Sequence, residues 1–411
     1  EWLRLQETVH GQGIDLGLTR VRSVAERLRL LPYPLRTIIV AGTNGKGSTV
    51  ACLAALLRAH GLKAGAFTSP HLLRYHERIR VDGADATDAE LIAAFEAIDA
   101  ARGDTTLTFF EYNALAAMWI FRERRMEFAV LEVGLGGRLD AVNIVDAEAA
   151  IVCSIGLDHA DWLGTDIEQI GREKAGVFRA GSIAVIADPA MTPSVAAEAA
   201  RVGARALRAG SDYTWQVDAD GGRWSFQGAR RFDALLPPAL AGARQYANAA
   251  AAIAALQGLG VALQPAAINH ALGSLQLPGR FQVVPGPVEW ILDVAHNEPA
   301  ARVLADNLRQ RRCAGRTLLV TGILGDKDVT AIAPVLAAVS DRIFLCGIAA
   351  PRGLTAVQLA GRAPQFASAA QCEDITAGMH AAAGEARPGD RIVVCGSFLA
   401  VAPALERLGL Y

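Results

Sequence analysis

Lysine is the scarce residue of this 411-residue chain: only four of its 40 basic side chains are lysine, at positions 46, 63, 174 and 327. Where positive charge alone suffices, the chain uses arginine. A retained Lys46, Lys174 or Lys327 is therefore a candidate for work a guanidinium cannot do, such as compact phosphate contact or amine reactivity. Lys63, opening an apolar run, reads as chance survival. Long apolar runs are also missing: none reaches the ~18 residues of a membrane span, so no membrane partner is expected. The N-terminus, Glu1-Trp2-Leu3-Arg4, has no basic-then-apolar signal, and a first residue other than Met reads as a trimmed start. The net charge of −2 supplies no basic field for nucleic acid. The six cysteines (52, 153, 313, 346, 372 and 395) form no C-x-x-C pair and mostly sit in apolar segments. They read as reduced thiols of a cytoplasmic protein.

What is present is core-forming material, with 52% apolar and 20% charged residues over a length that suggests two domains. From about residue 37 to 187 the pattern is strand then helix. The runs "TIIVAG", "KAGAFT", "FAVLEVG", "AAIVCSI" and "SIAVIA" predict strands of a mostly parallel, buried sheet, with helices over 48–60, 88–101 and 111–125. Residues 211–232 have hairpin character around Asp-Gly-Gly, and helices are expected over 244–258 and 265–273. Pro and Gly concentrate in "LQLPGRFQVVPGP", after which "VEWILDVAH", "TLLVTGIL", "RIFLCGI" and "RIVVCGS" restart the alternation. The expected fold class is α/β: a P-loop ATPase domain with a mostly parallel sheet over 1–277, a linker over 278–286, and a smaller Rossmann-like domain over 287–411.

The stretch "VAGTNGKGST" joins a strand to a helix through glycines. Such a turn aims backbone N–H groups and the helix dipole at an anion, with Lys46 to neutralise phosphate oxygens and Ser48 near a Mg²⁺. Its spacing departs from the usual P-loop, because only Thr43 and Asn44 separate Gly42 from Gly45-Lys46, and Gly47 precedes Ser48. In "VLEVGLGGRLDAVN", Glu132 ends a second strand and is either part of a Mg²⁺ shell or a structural partner of Arg138. The G-x-G-G spacing there, with no clear helix after it, is a poor dinucleotide fingerprint. Asp158 and His159 follow the strand "AAIVCSI", where a metal or phosphate role competes with a structural one. Lys174 lies on a helix, either salt-bridged to Glu173 or Glu168 or reserved for amine chemistry. A neutral amine there would take up CO₂ as a carbamate. In the second domain "DVAHNEPA" and "GILGDKD" put Asp293, His296 and Asn297, then Asp326, Lys327 and Asp328, at strand ends. Each is a ligand-facing cluster or an ordinary capped helix start.

Taken together, "IDLGLTRV", "VAGTNGKGST", "TSPHL", "ERIRVDG", "TFFEYNALAA", "EVGLGGRLDAVN", "SIGLDHADWLG", "EKAGVFRAG", "RQYANAAAA", "LPGRF", "DVAHN" and "GILGDKD" resemble, in order, the folylpolyglutamate synthase family of the Mur ligase superfamily, especially its bifunctional bacterial branch. The resemblance implies ATP-dependent addition of L-glutamate to dihydropteroate and to reduced folates through an acyl phosphate, by a monomer. It implies that Gly45, Lys46, Gly47 and Ser48 hold the ATP phosphates, and that Asn248, Arg280 and Asp293 bind the nucleotide. Ser69, Glu132 and His159 are similar to the family's Mg²⁺ residues, with Mg²⁺ at two sites. Lys174 looks like its carbamylated lysine, and His296 would lie near the reacting groups or the glutamate. The acceptor pocket would be lined by Asp15, Leu16, Gly17 and Leu18, by Thr108, Phe109, Phe110 and Glu111, and by Leu139, Asp140 and Ala141. Two departures stand out: Val142 where Thr is common, and Glu298 between Asn297 and Pro299. Competing readings are another Mur-type amino-acid ligase, which would need a longer N-terminal region, and a non-catalytic ATP-binding switch.

Overall fold

The protein is described by a computed structural model covering all 411 residues. Two compact units divide the chain: Glu1–Gly156, Leu163–Ala239 and Gln245–Leu275 form the first, and Leu157–Trp162, Leu240–Arg244 and Gln276–Tyr411 the second.

The first unit is built on an eight-stranded sheet. Its strand order is 84–85, 79–81, 64–67, 128–132, 36–41, 149–152, 183–186 and 205–208. The six strands from 64–67 onward run parallel, and the first two form an antiparallel edge. Burial on both faces explains the near-continuous apolar runs. In Arg36–Ala41, Ile39 and Ala41 enter the core on one face, with Phe95, Leu115 and Phe121. Ile38 and Val40 enter the other, with Leu53, Leu56 and Ile253. Strand Arg36–Ala41 lies between Phe128–Glu132 and Ala149–Val152, both parallel to it. The chain therefore leaves in both directions from this strand, and the crevice at its carboxyl end is where such sheets take ligands. The expected hairpin is a small three-stranded antiparallel sheet, Thr214–Val217, Trp224–Gln227 and Phe232–Leu235.

The second unit has a six-stranded sheet in the order 282–284, 289–292, 391–395, 317–321, 342–346 and 370–372. Here the expected linker over 278–286 needs correction. Gln282–Val284 pairs antiparallel with Glu289–Leu292, and Phe281 is buried in this unit's core. The Pro-Gly-Pro run at 285–287 is thus the turn of a hairpin. Residues 157–162 and 240–244, expected with the first domain, also cluster with the second unit.

Candidate active site

The phosphate-type loop is shaped by glycines that nothing larger can replace. Helix Lys46–Ala59 starts from Gly45 at φ +91°. A Cβ on Gly45 would stand 2.9 Å from Asn248 Oδ1, and one on Gly42 (φ +143°) would stand 3.0 Å from Cys153 Cβ. Both are left-handed positions in which a side chain is strained as well as crowded. The loop is stitched to the segment after strand Ala149–Val152: the Thr43 N–H donates to Ser154 O at 2.8 Å, and the Asn44 N–H to Ser154 Oγ at 3.0 Å. Thr43 Oγ1 donates to Gly156 O at 3.0 Å. Lys46 Nζ folds back onto the carbonyls of Gly42 and Thr43, at 3.0 and 3.2 Å. Asn248 reaches the loop from helix Ala243–Gly258, whose run of alanines permits close packing.

Glu132 lies in register with Val40, two residues before Gly42, and takes the Ser69 N–H on Oε2 at 3.1 Å. Arg138, its expected structural partner, pairs with Glu173 at 2.9 Å. Lys174 is buried at 6% exposure on helix Ile167–Ala175. Glu173 pairs with Arg138, and Glu168 bonds Thr192 and Ser194. The Gly134–Asp140 loop presses against this helix, since a Cβ on Gly137 would sit 2.7 Å from Lys174 O. Lys46, Glu132 and Lys174 act together on one thiol. Burial pushes Cys153 up to about 11, the two lysines oppose that rise, and Glu132 adds to it.

The three segments expected to line an acceptor pocket are tied together. Asp140 Oδ2 accepts the N–H groups of Gly134 and Leu135 at 3.0 and 2.9 Å, and Oδ1 accepts that of Val142 at 3.0 Å. The Val142 departure leaves this turn closed, since it uses only the backbone. Leu139 precedes this turn and Ala141 begins the short 3₁₀ helix that Asp140 caps. Phe110 fills the space a Gly134 side chain would need, 2.5 Å from its virtual Cβ. Thr108 caps helix Phe109–Glu123 in a reciprocal capping box with Glu111. Glu111 Oε1 also takes Arg20 Nη2 at 3.1 Å, while Arg20 Nη1 reaches Asp15 Oδ2 at 2.5 Å. Arg20 thereby links Asp15–Leu18 to Thr108–Glu111, with Gly17 facing open space. Arg20 was missed in the sequence, where "LTRVRS" reads as one charged face of a helix.

In the second unit, Asp158 is the hub of a buried cluster. Lys327 Nζ donates to Oδ1 at 2.6 Å, Asn297 Nδ2 to Oδ2 at 2.9 Å, and His296 Nε2 lies 3.5 Å from Oδ2. Burial alone would raise Asp158. The hydrogen bond from His296 and the charges of His159, Lys327 and His296 outweigh it and hold the carboxyl well below the usual range. His159 follows in left-handed backbone, φ +52°. Asn297 and Asp328 do act as helix caps, accepting the N–H groups of Ala300 and Ala331. Helix Glu298–Gln310 begins at Glu298. Asp293 takes the backbone N–H groups of Phe281 and Ala295, both at 2.8 Å. Arg280 lies over the Phe398 ring at 5.0 Å.

Two family models cover most of the chain: the Mur ligase middle domain matches residues 40–256 and the Mur ligase glutamate ligase domain residues 279–398. The dihydrofolate synthase/folylpolyglutamate synthase of Escherichia coli (strain K12) is 44% identical over 409 residues, spanning 98% of this chain and 94% of its own. The chain belongs to this family of Mur ligases. Solved structures agree with that membership. E. coli FolC in complex with DHPP and ADP superposes with a TM-score of 0.95 at 42% identity, over 100% of this chain and 97% of that one. A bifunctional folylpolyglutamate synthase/dihydrofolate synthase with Mn, AMPPNP and L-glutamate bound gives 0.92 at 43% identity, over 99% and 97%.

A divalent ion fits the donors this family member offers. No cluster of three His, Cys, Asp or Glu side chains could cage a metal unaided. Glu132 with the Ser69 hydroxyl instead makes a sparse oxygen set beside a phosphate loop, the kind Mg²⁺ accepts when substrate phosphates and water complete its shell.

Proposed function

We propose that this chain is an ATP-dependent carboxylate–amine ligase that adds L-glutamate to dihydropteroate, forming dihydrofolate, and to reduced folates, forming folylpolyglutamates. The observation that carries the reading is the glycine-shaped strand-to-helix loop with Lys46 on its carbonyls and Glu132 on the neighbouring strand end, in a family whose solved members hold DHPP, adenine nucleotides, Mn and glutamate.

The loop N–H groups and Lys46 bind the ATP phosphates, with Gly45, Gly47 and Ser48 shaping the cradle. Lys46 leaves two neutral carbonyls for anionic oxygens, so the exchange is electrostatically favourable. Asn248, Arg280 and Asp293 serve the nucleotide. Ser69, Glu132 and His159 would hold Mg²⁺, at two sites, and the bound ion would supply positive charge beside the ATP phosphates. A substrate carboxylate oxygen attacks the γ-phosphorus, ADP leaves, and the glutamate amine displaces phosphate from the acyl phosphate. Lys174, buried on helix Ile167–Ala175, is the residue for carbamylation, which would turn its cation into an anion able to bind metal. His296 works near the glutamate. Asp15–Leu18, Thr108–Glu111 and Leu139–Ala141 form the acceptor pocket. Asp140 there shapes the loop through three backbone N–H groups. The chain acts as a cytoplasmic monomer on small molecules, without nucleic acid or membrane partners; its six cysteines are free thiols.

The test is a product assay offering ATP, glutamate and either dihydropteroate or tetrahydrofolate. Both acceptors should yield a glutamylated product with stoichiometric phosphate. Lys46→Ala should lower the rate about 10³-fold with the fold intact. Phosphate release without glutamylated product would sink the ligase reading, and activity with tetrahydrofolate alone would remove the dihydrofolate synthase half.

A further inference from the structure

Arg78 is a buried cation whose hydrogen bond goes to an imidazole rather than to a carboxylate. It closes the short 3₁₀ helix Tyr75–Arg78 in "ERIRVDG" and is only 7% exposed. Its one hydrogen bond runs from Nε to His71 Nδ1 at 2.7 Å. That acceptor cannot neutralise it: a ring nitrogen that accepts a hydrogen bond carries no negative charge. The carboxylates of Glu132 and Glu77 act on Arg78 electrostatically and also accept backbone N–H groups. Glu77 takes the N–H groups of Leu72, Leu73 and Arg74, at 2.7, 2.8 and 2.6 Å, and Glu132 takes that of Ser69. Neither Nη nitrogen of Arg78 bonds to the protein. Such a group is costly unless something else supplies the negative charge.

Its position says what that is. The guanidinium lies 5.2 Å from the centroid of Phe109, a wall of the acceptor pocket, and 5.9 Å from that of Tyr75. The Tyr75 hydroxyl is buried and also lacks a partner. Glu132, on the other side, is within electrostatic reach. Arg78 therefore stands between an aromatic wall and the phosphate-type loop, with two planar donors to offer. We propose that Arg78 binds the carboxylate of the acceptor, its Nη pair forming a bidentate contact while Phe109 carries the aromatic part of the same molecule. A planar fork fits this task where an ammonium would not, in keeping with an arginine at this position. The proposal rests on the acceptor being an aromatic carboxylic acid such as dihydropteroate.

The test is equilibrium binding, without ATP, of dihydropteroate and of its carboxamide analogue. In the wild-type chain, loss of the carboxylate should weaken binding about tenfold or more, as for a charge-assisted pair. In Arg78→Met the two ligands should bind alike, and Arg78→Lys should fall between. Thermal unfolding and ADP binding check that each variant is folded. Equal weakening of both ligands by Arg78→Met would reduce Arg78 to a packing role and overturn the proposal. So would equal binding of the two ligands by the wild type, which needs no variant. If the wild-type chain binds neither ligand, the acceptor reading falls and takes Arg78 with it.

Discussion

Two buried carboxylates, one in each unit, are driven in opposite directions. Asp140, in the loop after strand Phe128–Glu132 of the first unit, meets only backbone N–H groups at close range, and burial raises it to about 7 despite them and the more distant Lys46. Asp158, in the second unit, has Lys327 at 2.6 Å, Asn297 at 2.9 Å and His296 at 3.5 Å, and is held far below the usual carboxylate range. Burial is common to both, so it does not decide the outcome; the partners do. The wider regions differ likewise. In the first unit two cations hydrogen-bond neutral groups, Lys46 on carbonyls and Arg78 on an imidazole, contacts that an anionic ligand could replace. In the second, opposite charges are already bonded to each other.

Breaking the paired side should have the largest effect on stability. Asp158→Ala leaves Lys327, at 8% side-chain exposure, with only its 3.8 Å pair to Asp326 and should destabilise the second unit by about 3 kcal/mol in chemical denaturation. Adding Lys327→Met should recover much of that loss. If the double variant is as unstable as the sum of the singles, the charges are not coupled and the contrast with Asp140 fails.

The unpaired side should show itself in pH dependence. With Asp140 raised to about 7, the folded state keeps a proton that the unfolded chain releases near pH 4. Stability should therefore fall as pH rises from about 4 to 7, by a few kcal/mol at most, and level off above. Asp140→Asn should flatten that stretch of the stability–pH curve. An unchanged slope would mean that Asp140 is ionised throughout.

The smallest effect sharpens the comparison. Asn297 donates to Asp158 and also caps helix Glu298–Gln310. Asn297→Ala should cost about 1 kcal/mol, as a lost cap does. A loss as large as that of Asp158→Ala would place the cluster's strength in this neutral bond rather than in its cations.

Much of this was legible one segment at a time. Near-continuous apolar runs located Arg36–Ala41 and Phe128–Glu132, and the glycines around Lys46 located the turn at the first strand's end. Edge elements were less visible. The three-residue strand Gln282–Val284 lay among prolines and glycines, and Ile79–Val81 and Ala84–Asp85 were too short to show a period. Arg78 and Arg20 were hidden for another reason: each sits in an arginine-bearing stretch that resembles a solvated face, and only its neighbours distinguish it.

By itself, the sequence determined which local structures form and where the chain can turn, since propensity, alternation and glycine φ act over a few residues. It also placed the scarce lysines at candidate reactive positions. Only the tertiary structure decided which charges meet. Asp158 and Lys327 are 169 positions apart, yet their nitrogen–oxygen distance is 2.6 Å. Coulomb and desolvation energies depend on such distances and on burial, neither of which is written in sequence spacing.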